Sequence, residues 1–343
     1  MTPIRFGIGF APTVPAPRVI ETARLAEQLG FDVFWLTDSH LAAREAMTLL
    51  GALAVSTERI HLGTGVSHLA GRHFSVIASA MHTLDELAPG RVRLGIGVGD
   101  SGPLNLGVPR TSLRELEAAV VSIRQLLEGQ AVDGPSRPLS LSSVKARSNP
   151  VPIYISGSAE RTLRMTGRVA DGALISGMPD QLSASIASVR AGEREAGRVS
   201  GSTRILLWTT VAVDDDREAA RTAVRGSVAR RALNSYGRLA RAGQLDPEDA
   251  QALDRLQRDH AEGYRLEAVA GELVPERWID RFAIAGTPQD VRARLEAAIQ
   301  SGADEISMIL MGPRSHARGG VDQLTMFAET VMRPMREALI ATT

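Results

Sequence analysis

Short apolar runs alternate with stretches of helical spacing along most of the chain. Ile4–Phe10 is an apolar, β-branched run ended by Ala11-Pro12-Thr13; Arg18–Leu29 then places apolar residues three and four apart until Gly30 stops it. The rhythm repeats as Val33–Leu36 before a helix near Ala42–Ser56, and as Ile60–Gly65 before Phe74–Leu87. Val92–Ile96 is the fourth strand. Its helix opens at Ser112, where Ser112-Leu113-Arg114-Glu115 spells a capping box and the two side chains satisfy free amides of the first turn. Pro152–Ser156, Ala173–Ser176, Ile205–Val213 and Glu305–Leu310 complete eight strands, with helices expected over Ala159–Ala170 and Gln181–Glu195. Such alternation predicts an α/β fold, a closed parallel (β/α)8 or TIM barrel.

Two segments interrupt the rhythm. Residues 129–150 are rich in Gly, Pro and Ser and predict a loop, with room for a small hairpin, across one end of the barrel. About ninety residues separate strands seven and eight, more than one crossover helix needs, so about 217–274 is expected to be a helical insertion within a single domain, 1–343. Gly286-Thr287-Pro288 restarts the barrel, with Thr287 as N-cap and Pro288 as first helical residue.

Composition removes several function classes. Lys plus Arg and Asp plus Glu both total 39, so no bulk charge favours nucleic acid or a membrane surface. With no cysteine in the chain, disulfides, thiolate metal sites and Cys nucleophiles are excluded. No signal-like N-terminus or membrane-length apolar run is present, and a cytoplasmic location is expected. No histidine spacing suggests a metal site, and neither a Gly-x-Ser-x-Gly elbow nor a phosphate-binding P-loop occurs.

In a barrel of this kind chemistry belongs just after the strands. Asp38 and His40 follow strand two and could orient or protonate a ring or substrate, although Asp38 could equally cap the next helix. Thr64, Gly65, Val66 and Ser67 end strand three, where small residues let the backbone approach a flat ring. Gly97, Val98, Gly99 and Asp100 end strand four and, with Gly102, match G-x-G-x-x-G. A dinucleotide-binding turn would feed its helix at once, whereas here Pro103 follows and the helix is expected only at Ser112. Ser156, Gly157, Ser158 and Ala159 precede a helix whose free amides, with Arg161 one turn in, suit a phosphate.

Taken together these segments resemble the luciferase-like superfamily of flavin and deazaflavin oxidoreductases, and most closely its methylenetetrahydromethanopterin reductase-like branch. The resemblance rests on Leu25–Asp32, Trp35–Asp38, Ile60–Val66, Val151–Ser158, Val169–Gly172 and Gly286–Pro288, and above all on Leu84–Asp100. It implies an enzyme that uses the 8-hydroxy-5-deazaflavin coenzyme F420, or alternatively FMN. It further implies a non-prolyl cis peptide at Gly65-Val66 behind the ring, Gly97–Asp100 beside the ring, a phosphate at Ser156–Ala159, and a homodimer. Ser39 separates Asp38 from His40 where the reductases have the pair adjacent, so either could handle the proton. The expected activity is hydride transfer between the deazaflavin and a small organic substrate. An FMN-dependent monooxygenase and a non-catalytic flavin-binding barrel are the alternatives.

Overall fold

The computed structural model describes residues 4–141, 150–176, 179–259, 273–312 and 321–341. Its elements run β1 (Arg5–Phe10), α1 (Ala16–Leu29), β2 (Val33–Leu36), α2 (Ala46–Ser56), β3 (His61–Thr64), β4 (Ser67–His68), α3 (Phe74–Leu87) and β5 (Val92–Gly97). They continue with α4 (Ser101–Leu106), α5 (Leu113–Leu127), β6 (Ile153–Gly157), α6 (Glu160–Val169), β7 (Gly172–Ser176), α7 (Leu182–Glu195) and β8 (Arg204–Val213). The remainder is α8 (Arg217–Arg241), α9 (Pro247–Asp259), α10 (Glu276–Phe282), β9 (Ala283–Gly286), α11 (Pro288–Gln300), β10 (Glu305–Met311), α12 (Val321–Phe327) and α13 (Arg333–Ala341). No helix among the described residues is long and apolar enough to cross a membrane.

The chain forms two compact units, the first comprising Met1–Ser176, Ser183–Trp208 and Gly302–Ser307. This unit holds the barrel. β1, β2, β3, β5, β6, β7 and β8 pair in that order in parallel, and β10 pairs with both β8 and β1, which closes the ring. Three aspartates fasten the strand beginnings: the residue just before a strand accepts a hydrogen bond from an amide of the neighbouring strand. Phe6 N donates to Asp32 at 2.7 Å, Ile153 N to Asp171 at 2.8 Å and Ile205 N to Asp304 at 2.7 Å. Asp32 and Asp171, two residues that carried the family likeness, are thus structural.

The interior is not purely aliphatic. Arg93 and Glu305 form an ion pair at 2.6 Å with side chains 3% and 5% exposed, and the Trp35 indole N–H donates to Ser307 at 2.9 Å and Glu305 at 3.2 Å. The Arg93 guanidinium lies over the rings of Trp35 and Tyr154, 5.8 and 5.6 Å from their centres. A buried charge is tolerable only when paired and hydrogen-bonded, and this network satisfies both members.

The second unit comprises Gly177–Leu182, Thr209–Ser301 and Met308–Thr343. It has its own apolar core of Val224, Val228, Tyr236, Leu253, Leu256, Trp278 and Phe282, among others. Tyr236 meets Trp278 and Phe282 edge to face at 5.2 and 5.0 Å. A helical insertion after β8 is therefore present, although 260–272 lie outside the described residues. The sequence gives no sign of β9, which pairs with Thr210–Val213.

Local signals mostly act as expected. Gly30 ends α1 at φ 92°, and capping boxes open α5 at Ser112 and α11 at Thr287. In the segment 129–150, Val132 bridges Leu139 antiparallel, and 142–149 lie outside the described residues. Two expectations need correction. α2 begins at Ala46 rather than near Ala42, because Glu45 caps it by accepting from the amides of Met47 and Thr48. Residues after β5 do not wait for Ser112 either: α4 spans Ser101–Leu106. Pro103 falls in its first turn, where a missing N–H breaks no helical hydrogen bond.

Candidate active site

The polar cluster lies in the first unit, where the segments after β2 and β3 meet. After the Gly65-Val66 peptide, which is cis, the chain rejoins the sheet as β4, with Ser67 opposite Ile96 and His68 opposite Gly97. This return brings Ser67 beside Asp38, and the Ser67 hydroxyl donates to Asp38 Oδ2 at 2.9 Å. Arg72 pairs with the same carboxylate oxygen and, through its other nitrogen, with Glu45. The Asp38 side chain is 3% exposed, while His40 Nδ1 faces Asp38 Oδ1 from 3.8 Å. Asp38 does not cap α2, a role that Glu45 fills.

His68 adds a second imidazole. Donor atoms of Asp38, His40 and His68 all lie within 4.8 Å of one another. Burial holds the His68 ring below the ordinary histidine range; the Asp38 carboxylate opposes that shift, while His40 and Arg72 reinforce it. Among the described residues this is the one group of donor atoms close enough together to suggest a metal. The Arg72 guanidinium puts a positive charge against the carboxylate that a dication would need.

Two glycines make room for the rings. A Cβ on Gly102 would stand 2.0 Å from His68 Nε2, and one on Gly71 would stand 2.7 Å from His40 Cε1. Gly102, the last glycine of the G-x-G-x-x-G match, therefore serves an imidazole. Further ties hold the β2 and β5 loops together: Ser39 and Ser101 share a hydrogen bond at 2.7 Å, and Asn105 donates to the His40 carbonyl at 2.7 Å.

The remaining candidates have distinct surroundings. The Thr64 hydroxyl is fully buried, donating to the Gly95 carbonyl at 2.6 Å and accepting from the Gly95 amide at 3.1 Å, so it fastens β3 to β5. Gly97 sits between two neighbours, since a Cβ there would meet Val66 Cγ2 at 3.2 Å and Ser156 Cβ at 3.6 Å. Val66 and the end of β6 are therefore next to each other. Gly99 adopts φ 82°, a conformation that favours glycine, whereas Val98 is half-buried beside it. Asp100 is exposed and paired with Arg110. Gly157 packs against Thr162, Ser158 and Arg161 are exposed, and α6 starts after Ala159 with no side-chain cap. Its first amides therefore have no side-chain cap.

Sequence reasoning grouped His68 with Asp38, His40 and Ser67 at the strand ends but missed Arg72, Glu45 and Gly71. The signal for Arg72 was only a basic residue in the loop after a strand, and nothing in linear order ties it to Asp38.

Comparison with known proteins agrees with this architecture. A family model described as luciferase-like monooxygenase matches residues 1–305. The 5,10-methylenetetrahydromethanopterin reductase of Methanolobus tindarius is 30% identical over 309 residues, covering 88% of this chain and 92% of the relative. An F420-dependent glucose-6-phosphate dehydrogenase of Beutenbergia cavernae is 28% identical over 354 residues, covering 97% and 98%. Among solved structures, the coenzyme F420 dependent tetrahydromethanopterin reductase from Methanopyrus kandleri superposes with a TM-score of 0.82 at 25% identity, over 96% of this chain and 99% of that one. Matched along most of its length by that family model and built on a closed parallel barrel, this chain belongs to the luciferase-like monooxygenase family.

Proposed function

We propose that this protein is a deazaflavin-dependent oxidoreductase that moves a hydride between coenzyme F420 and a small organic substrate, with His40 handling the accompanying proton. The observation that carries the reading is the tethering of Asp38. A carboxylate already engaged by the Ser67 hydroxyl and the Arg72 guanidinium is a fixed acceptor, suited to orienting an imidazole and stabilising charge on it. His40 Nδ1 faces that carboxylate and is buried. Proton exchange with a bound molecule then falls to Nε2, in the general arrangement of a carboxylate-oriented histidine.

The residues present fit the cofactor. Val66 provides an apolar shelf beside Gly97, and the uncapped N-terminus of α6 lies directly after β6, whose Ser156 borders the same glycine. Thr64, Gly65, Val66 and Ser67 with Gly97, Val98 and Gly99 would border the ring; Ser156, Gly157, Ser158 and Ala159 would hold a phosphate, with Arg161 as counter-charge. Asp100 would reach the cofactor only on leaving Arg110. When bound, the deazaflavin supplies a ring carbon that gives or accepts the hydride. Relatives whose names specify F420 support this choice.

The same reading makes residues 1–343 one functional domain, working in the cytoplasm as a homodimer. Exposed Val55, Val76, Leu87 and Val121 on α2, α3 and α5 are the apolar surface that such a contact would use.

Fluorescence titration with F420 and with FMN, followed by anaerobic turnover, tests the proposal. F420 is expected to bind at least tenfold tighter, about 1.4 kcal/mol, and to support turnover without oxygen. Tight FMN binding with strictly oxygen-dependent product formation would install the monooxygenase instead, and a cofactor-bound protein inert to reductants would mean a binding barrel.

A further inference from the structure

The His40 and His68 rings meet edge to face, with centres 5.3 Å apart and planes at 65°. His40 Nδ1 and both nitrogens of His68 are buried with no well-formed hydrogen bond, only the Asp38 main chain lying close enough to act on the His68 ring, and His68 is 1% exposed. Buried polar atoms are nearly always well paired, so three poorly satisfied nitrogens in one cluster call for a functional explanation. The role given to His40 uses none of His68.

Charge supplies the explanation. The groups facing His68 are Asp38 and His40 from the segment after β2 and Arg72 from the segment after β4, while Gly99 and Gly102 approach from the β5–α4 side and bring no charge. Arg72 is in turn paired with Glu45. Asp38 already balances Arg72, so the remaining negative charge cannot offset two imidazolium rings in contact. Charge repulsion therefore disfavours carrying a proton on both rings at once.

We propose that His40 and His68 act as a dyad sharing a single proton, with His68 the positioning residue that sets when His40 is charged. This rests on His40 being the proton-handling group. With His68 neutral, His40 can accept a proton at Nε2 and be held by Asp38. With the proton on His68, charge repulsion keeps His40 neutral and unable to take a second, so His68 must be neutral before His40 can act. Interacting sites of this kind lose protons in macroscopic steps that belong to the pair, not to either ring.

The test follows ring 15N and 1H resonances of the full chain by NMR against pH, with no cofactor or substrate added. The wild-type His40 ring is expected to show two inflections, one mirrored by His68, and His68→Asn is expected to collapse them to one. His68→Gln serves as a second variant should the first fail to fold, and circular dichroism reports folding for both. A single His40 inflection that is identical in the wild type and in a folded His68 variant would overturn the dyad. The acidic limb of the kcat/KM profile gives an independent reading: it is expected to move in the variant while F420 affinity stays unchanged, and an unmoved limb counts against the proposal. Because the NMR arm needs no cofactor, failure of the F420 titration would defeat the proposed function and leave the dyad standing.

Discussion

Gly102 approaches His68 so closely that any side chain there would occupy the space of the imidazole, its Cβ falling 2.0 Å from Nε2. Gly102→Ala is therefore expected to displace the ring or shift α4, at about 1–3 kcal/mol, and to lower turnover. Gly51→Ala is the control: that site lies inside α2 with nothing within 4 Å, so the change should be neutral or mildly stabilising. Denaturant unfolding and steady-state kinetics of the two variants check this, and equal behaviour would refute the packing argument.

Arg72→Met should leave Asp38 buried beside a single hydroxyl donor. We expect kcat to fall by roughly 10²-fold or more, the lower range for losing a positioned acid–base group, with F420 affinity changed only a few-fold. Anaerobic kinetics separate the two; an effect confined to KM would place Arg72 in binding instead.

The Arg93–Glu305 pair gives a stability prediction. Arg93→Met leaves a buried, uncompensated Glu305 and should cost about 3–5 kcal/mol, whereas the double change Arg93→Met with Glu305→Gln should recover a good part of that loss. Urea unfolding of single and double variants measures the difference.

At the α6 N-terminus stability and binding should move in opposite directions. Ala159→Asp supplies the missing cap, worth about 0.5–2 kcal/mol, yet sets a carboxylate where a phosphate is proposed to bind. A higher Tm with F420 binding weakened at least about tenfold is expected. Unchanged affinity would move the phosphate elsewhere. A bulky residue at Gly157 is a poorer probe, since its Cβ would already meet Thr162 at 2.5 Å.

His61 links stability to pH. Burial, with Arg93 and Arg5 adding positive charge, pushes its ring down to about 4. The folded state then takes up the proton less readily than the unfolded chain, whose histidine titrates near 6.5. Stability from this residue is full above about pH 6.5 and is lost as pH falls toward 4. The difference in unfolding free energy between wild type and His61→Asn should shift against the wild type as pH falls across that window.

The parts legible in the sequence were those set by local chemistry. Gly30, Ser112 and Thr287 mark helix ends through backbone or side-chain geometry that their own neighbours determine. The eight barrel strands carried their apolar runs openly. The place of Asp38 and His40 just after a barrel strand was legible too, and the structure sets their side chains 3.8 Å apart. What stayed hidden depends on distance in the chain: Arg72 reaches Asp38 across 34 residues, and Gly102 meets His68 through the fold alone. α4 was missed for another reason, since Pro103 reads as a breaker until its place in the first turn is known.

Glu45 holds two posts at once, capping α2 through the amides of Met47 and Thr48 while gripping the guanidinium that steadies Asp38. Helix ends fray before helices melt. Warming that loosens the first turn of α2 would release Arg72 and slacken the Asp38–His40 alignment while the barrel is still intact. Thermal inactivation of this enzyme should thus run ahead of its unfolding, with the working temperature set by one helix terminus and not by the melting of the whole.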